Sequence, residues 1–139
     1  MKTFSCSYSH YFTEKQRAVI RLACRAWEKS GKVQFIEAPG GHKLIFSIAY
    51  LKDGEVGHRT HQTELDLVEF SSRVTFSTAT SWLGRLFTTT GNFDMLSVAT
   101  HEIGHVLLGE GHTNEYDSIM QPGYLNLPSK PSKRDFARL

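Results

Sequence analysis

Residues 101–105 read His-Glu-Ile-Gly-His. Two imidazoles four positions apart lie on one face of a helix, one turn above the other, so both can reach a single ion. Glu102 stands beside the first of them, where its carboxylate can touch a water held on that ion without being a ligand itself; this is the place of a general base. Taken alone, the five residues also fit a helix with two surface histidines. The continuation, Val106-Leu107-Leu108-Gly109-Glu110-Gly111-His112, favours the metal. Gly109 and Gly111 can end the helix by adopting positive φ, turning the chain back so that a third imidazole faces the ion. Three neutral imidazoles leave one position of a tetrahedral zinc for water, which is the arrangement of a catalytic site rather than a structural one. The expectation is one catalytic Zn2+ on His101, His105 and His112, with Glu102 as base.

These residues need a helix to carry them, and the surrounding pattern supplies it. Asn92 or Asp94 can cap a helix in which Leu96, Ala99, Ile103 and Val106 recur on one face until Gly109. At the start of the chain Phe4, Cys6 and Tyr8 alternate with serines, which predicts a half-buried strand over 3–9. Thr13 and Gln16 have capping-box spacing ahead of Ile20, Ala23 or Cys24, and Trp27, which predicts a long amphipathic helix over 14–30, ending at Gly31. Val33 to Glu37 and Lys43 to Tyr50 read as two short strands, or one interrupted strand, around Pro39-Gly40-Gly41. Leu51 to Ser72 has a weak pattern, and Val74 to Thr78 is again extended. Ser132 can cap a short last helix with Phe136 and Leu139 facing inward.

With 139 residues the chain is expected to form one domain, 1–139. The composition, 40% hydrophobic and 12% aromatic, is that of a globular protein. Sixteen Lys and Arg against fourteen Asp and Glu give a net charge of +2, with no basic stripe interleaved with aromatics, so nucleic acid is not an expected partner. Lys130, Lys133, Arg134 and Arg138 read as a solvated helix face. Cys6 and Cys24 have no C-x-x-C spacing and read as buried small hydrophobes. No apolar h-region opens the sequence and no apolar run approaches a membrane span, so neither a signal peptide, nor an anchor, nor a membrane partner is expected. A monomer is expected.

The stretch from Leu96 to His105, then His112, then Met120-Gln121-Pro122-Gly123-Tyr124, resembles the metzincin zinc endopeptidases, and within them the matrixins. Ile20, Ala23, Cys24 and Trp27 upstream, and Ser132 and Asp135 downstream, extend the likeness. The resemblance implies an α+β metzincin fold: a twisted, mostly parallel sheet with an antiparallel edge strand, a long first helix, an active-site helix and a short C-terminal helix. It further implies a zinc-dependent metalloendopeptidase acting on peptide or protein substrates, with Met120 in a tight turn beneath the metal and Pro122 and Tyr124 lining the substrate pocket. An extended substrate would pair with an edge strand, for which Glu55, Val56, Gly57 and His58 are the candidates by their order in the chain. Secretion follows by family analogy alone.

Two departures stand out. Matrixins separate the second and third histidines by six positions, whereas His105 and His112 are seven apart. If the extra residue lengthens the helix, it rotates the chain beyond it by about 100° and advances it by about 1.5 Å. The matrixin structural zinc needs a His and Asp cluster. Asp53, His58 and His61 are present, but Thr75 and Ser77 occupy positions where further ligands would stand, so neither a second zinc nor a calcium is expected and His58 and His61 read as loop residues. His10 and His42 have no partners at ligand spacing. Two alternatives remain: a zinc hydrolase whose third ligand is acidic, with Glu115 the last Glu in the chain, and a non-catalytic binding module on the same fold. Structural zinc does not require a general base, so Glu102 weighs against the second.

Overall fold

The computed structural model describes residues 1–8, 12–39, 44–49, 57–63, 70–77, 82–83, 93–109, 111–123 and 127–139. Five strands form one sheet in the order β2-β1-β3-β5-β4: β1 (Lys2–Tyr8), β2 (Val33–Glu37), β3 (Leu44–Ala49), β4 (Gly57–Thr63) and β5 (Phe70–Ser77). The pairs β1 with β2, β1 with β3, and β3 with β5 are parallel, and β4 alone runs antiparallel to β5. This is the mostly parallel α+β sheet with an antiparallel edge that the resemblance implies. A short parallel pair, β6 (Trp82–Leu83) with β7 (Phe93–Asp94), was not foreseen.

Helix α1 (Glu14–Glu28) begins where the sequence marks it. Thr13 Oγ1 accepts from the Gln16 backbone N–H at 3.1 Å, and the Gln16 side chain accepts from the Thr13 N–H at 2.9 Å, so two donors at the helix start are satisfied reciprocally. Gly31, at φ +74°, takes the chain out of the last turn. Val19, Ile20, Ala23, Cys24 and Trp27 form its buried stripe. They meet Phe4 and Cys6 of β1, Leu44 and Phe46 of β3, and Val74 and Phe76 of β5 in one apolar cluster. Cys6 and Cys24 are buried free thiols, as expected.

Helix α2 (Met95–Leu108) packs against α1 and lies next to β4 and β5. Every residue from Ser97 to His105 is buried, polar ones included, so this helix has no solvent face along its central turns. Two contacts set its distance from α1. The Trp27 indole N–H donates to the Thr100 carbonyl at 2.9 Å, and Gly104 leaves no room for a side chain: a Cβ there would lie 2.9 Å from Trp27 Cζ2 and closer still to Met120 Sδ. Met120 can swing aside, but Trp27, fully buried, cannot. Gly104→Ala is therefore expected to destabilise the fold by about 1–3 kcal/mol through overpacking, despite the better helix propensity of Ala; denaturant unfolding of the two proteins checks this.

The last helix, α3 (Lys133–Ala137), starts with a second capping box, Ser132 with Asp135. The structure corrects the middle section: His58 and His61 are not loop residues but belong to β4, opposite Thr75 and Ser72 in register. Backbone pairing along β5 makes the strand, and a polar stretch such as Gly57-His58-Arg59-Thr60-His61-Gln62-Thr63 carries no apolar alternation to announce it. Asp53, His10 and His42 lie outside the described residues.

Candidate metal centre

His101 and His105 project from successive turns of α2 with ring centroids 4.8 Å apart and Nε2 atoms 3.2 Å apart. The other ring nitrogen of each is tied to a carbonyl: His101 Nδ1 lies 2.6 Å from Ile119 O, and His105 Nδ1 lies 2.8 Å from Gly109 O. A carbonyl oxygen can only accept, so both Nδ1 atoms carry the proton and both Nε2 atoms present lone pairs. Two lone pairs facing each other at this distance repel unless a cation lies between them. The 3.2 Å spacing is also close to the edge, about 3.3–3.4 Å, of a tetrahedron built on Zn–N bonds of about 2.0–2.1 Å.

The third imidazole arrives by a turn that resolves the question of spacing. α2 runs on through Leu108, and Gly109, at φ +94°, ends it while its N–H still donates to His105 O at 3.0 Å. In this chain the helix therefore continues to Leu108, and a left-handed glycine turns the chain back after it. His112 comes back with its ring centroid 5.3 Å from that of His101 and 4.9 Å from that of His105. One ligand atom from each of the three lies within 4.8 Å of the others. His101 and His105 are buried and His112 is exposed, so the cluster opens to solvent on the side of its third member. Behind His112 the Thr113 N–H donates to the Met120 carbonyl at 2.9 Å, which fixes the returning strand of chain.

Glu102 is buried beside His101 in the same turn. Met120 is buried against Gly104, beneath the helix turn that carries the two histidines. Pro122 is exposed, Gly57 opens the edge strand β4, and Val56 and Tyr124 lie outside the described residues. Glu115, the acidic candidate for third ligand, is engaged elsewhere: its Oε1 accepts from Arg138 at 2.6 Å. Among the described residues the three histidines are the one group of His, Cys, Asp or Glu side chains spaced to hold an ion. Sequence reasoning missed the Ile119 carbonyl and Gly104. A backbone acceptor leaves no trace in residue identity, whereas the glycine inside a helical run was a visible signal of close packing.

Burial lowers the His101 pKa to about 4, against the carbonyl bond that raises it, with His105 and His112 lowering it further. The imidazole is therefore neutral, as a ligand must be. In the metal-free protein His101 has no effect on stability above about pH 6.5, where it is neutral folded or unfolded. Below that the unfolded chain takes up a proton that the folded one refuses, so stability falls as pH drops, by about 3 kcal/mol once pH is below about 4. Chelator-treated protein followed by NMR is expected to show His101 still neutral at pH 5, and its unfolding free energy should decline across this window.

The chain is similar in sequence to known proteins. The family model described as Matrixin matches residues 3–136. Matrix metalloproteinase-21 of Homo sapiens is 34% identical over 131 residues, covering 84% of this chain and 21% of that protein. The Mus musculus protein of the same name is 32% identical over 131 residues, covering 86% and 21%, and that of Xenopus laevis is 33% identical over 125 residues, covering 80% and 19%. The chain spans about a fifth of the length of these curated relatives.

Proposed function

The chain belongs to the matrixin family of metalloproteases, and from this premise we propose that it is a zinc-dependent endopeptidase, its metal held by His101, His105 and His112 and its general base Glu102. The observation that carries the reading is the convergence of three imidazoles, two of them with Nδ1 committed to backbone carbonyls and Nε2 turned toward a shared point. Their donor set fits zinc with an open position.

When bound, zinc supplies a Lewis acid that polarises the scissile carbonyl and makes a water acidic enough to react near neutral pH. The residues of the chain do the rest. Glu102 accepts the proton that the attacking water gives up, and hands it to the amide nitrogen of the departing peptide. Its burial keeps bulk water from competing for that proton, and its place one residue after His101 keeps it within reach of the reacting water. The Ile119 and Gly109 carbonyls hold the two helix-borne imidazoles in the tautomer that binds.

Substrate placement in this reading uses the sheet edge. β4 is the last strand in the order and lies next to α2, so among the described residues its outer side has no strand partner. A peptide added antiparallel there, starting from Val56 and Gly57, would run past the metal site, with Pro122 and Tyr124 forming the wall of the pocket for its side chain and Met120 supporting the turn beneath. Cleavage of a quenched peptide library is expected to stop on addition of a chelator and to return with added zinc. Cleavage that persists through chelation would remove the proposed mechanism.

A further inference from the structure

A carboxylate on the last helix is bonded to the segment that meets His101. Asp135 is fully buried and its carboxylate accepts from four donors: Ser118 Oγ at 2.5 Å, the Ile119 N–H at 3.0 Å, the Ser132 N–H at 2.9 Å and Arg138 Nη1 at 3.1 Å. The Ser118 hydroxyl in turn accepts from the Met120 N–H at 2.9 Å. The peptide whose N–H is gripped by Asp135 is adjacent to the one whose carbonyl accepts from His101, since both belong to Ile119. One residue therefore separates the Asp135 carboxylate from the ring of a candidate ligand.

A second arm leads to His112. Arg138, anchored on Asp135, donates through Nη2 to Glu115 Oε1 at 2.6 Å and lies 3.5 Å from Thr113 Oγ1, on the segment just after His112. Arg138 and His112 also line one cleft of about 290 Å3, together with Leu108, Gly111, Thr113 and Met120. α2 fixes His101 and His105 relative to one another, but it cannot place the Ile119 carbonyl or the returning chain.

Resting on the zinc reading above, we propose that Asp135 is a positioning residue for the metal, setting the orientation of His101 through Ile119 and the place of His112 through Arg138. Outer partners of ligating histidines fix the ring and raise its basicity, and their loss costs about 10–100-fold in metal affinity. All four groups around Asp135 are donors, so Asn, which matches the shape, turns an N–H2 toward at least one of them.

Competition against a chromophoric chelator, using the whole chain and zinc alone, tests this. Asp135→Asn is expected to weaken zinc binding about 10–100-fold with circular dichroism unchanged, and to shift the His101 Nδ1–H proton resonance of the zinc-loaded protein. A folded Asp135→Asn that binds zinc as the wild type does, or leaves that resonance in place, overturns the positioning role. If this variant does not fold, Arg138→Met carries the test, since it leaves the bonds to Ser118, Ile119 and Ser132 in place; about tenfold weaker zinc binding is expected, and unchanged affinity overturns the proposal. A wild-type chain that takes up no zinc removes the underlying reading and this one with it, a result distinct from tight wild-type binding with indifferent variants.

Discussion

Glu102→Gln is expected to lower turnover of a cleavable peptide by about 10²–10⁴-fold while zinc content stays at the wild-type level. The substitution keeps the size and shape of a buried side chain, so the packing of the helix should not be disturbed. What it removes is the ability to take a proton from water and return it to the leaving amine. The three imidazoles are untouched, so metal binding and turnover should separate cleanly. The pair of measurements, zinc by atomic absorption and hydrolysis under saturating substrate, also distinguishes the catalytic reading from that of a binding module on the same fold. Full activity in this variant would mean that another group moves the proton.

The second large effect is expected at His112. It is the exposed member of the cluster and the one brought in by a turn rather than by the helix. His112→Ala should weaken zinc at least about 100-fold, since it deletes a ligand rather than an outer partner. At a free zinc concentration about 100 times the wild-type Kd, binding stabilises the native protein by about 2.7 kcal/mol; for the variant the same zinc should give only about 0.4 kcal/mol. Thermal melts with and without zinc read this directly. Undiminished zinc stabilisation in His112→Ala would place the third ligand elsewhere, and Glu115→Gln would then be the variant to examine.

The spacing of His105 and His112 bears on this prediction. One added residue in a helix rotates the chain beyond it by about 100°, which on a rigid continuation would send His112 away from its partners. Gly109 at φ +94° is where the chain turns away from the helix axis before His112. An L-residue with a side chain would be strained there, so the place of His112 depends on this glycine.

Much of this protein was legible in its residues. The capping boxes at Thr13 and Ser132, the apolar stripe of α1 and the facing histidines of α2 are local facts: each depends on neighbours one to four positions away, and side-chain periodicity expresses them directly. The candidate ligands His101 and His105 were visible for the same reason. Strand β4 was not, because an edge strand formed by backbone pairing needs no apolar pattern of its own. Nor could residue order tell that the Ile119 carbonyl would meet His101, that Gly104 would sit under Trp27, or that Asp135 would grip the peptide next to the site. These contacts join distant parts of the chain, and their partners are main-chain atoms that every residue possesses. Composition and spacing determined which groups could bind a metal and move a proton; only the packing of α1, α2 and α3 decided where those groups point, because orientation is set by contacts that no short stretch of sequence contains.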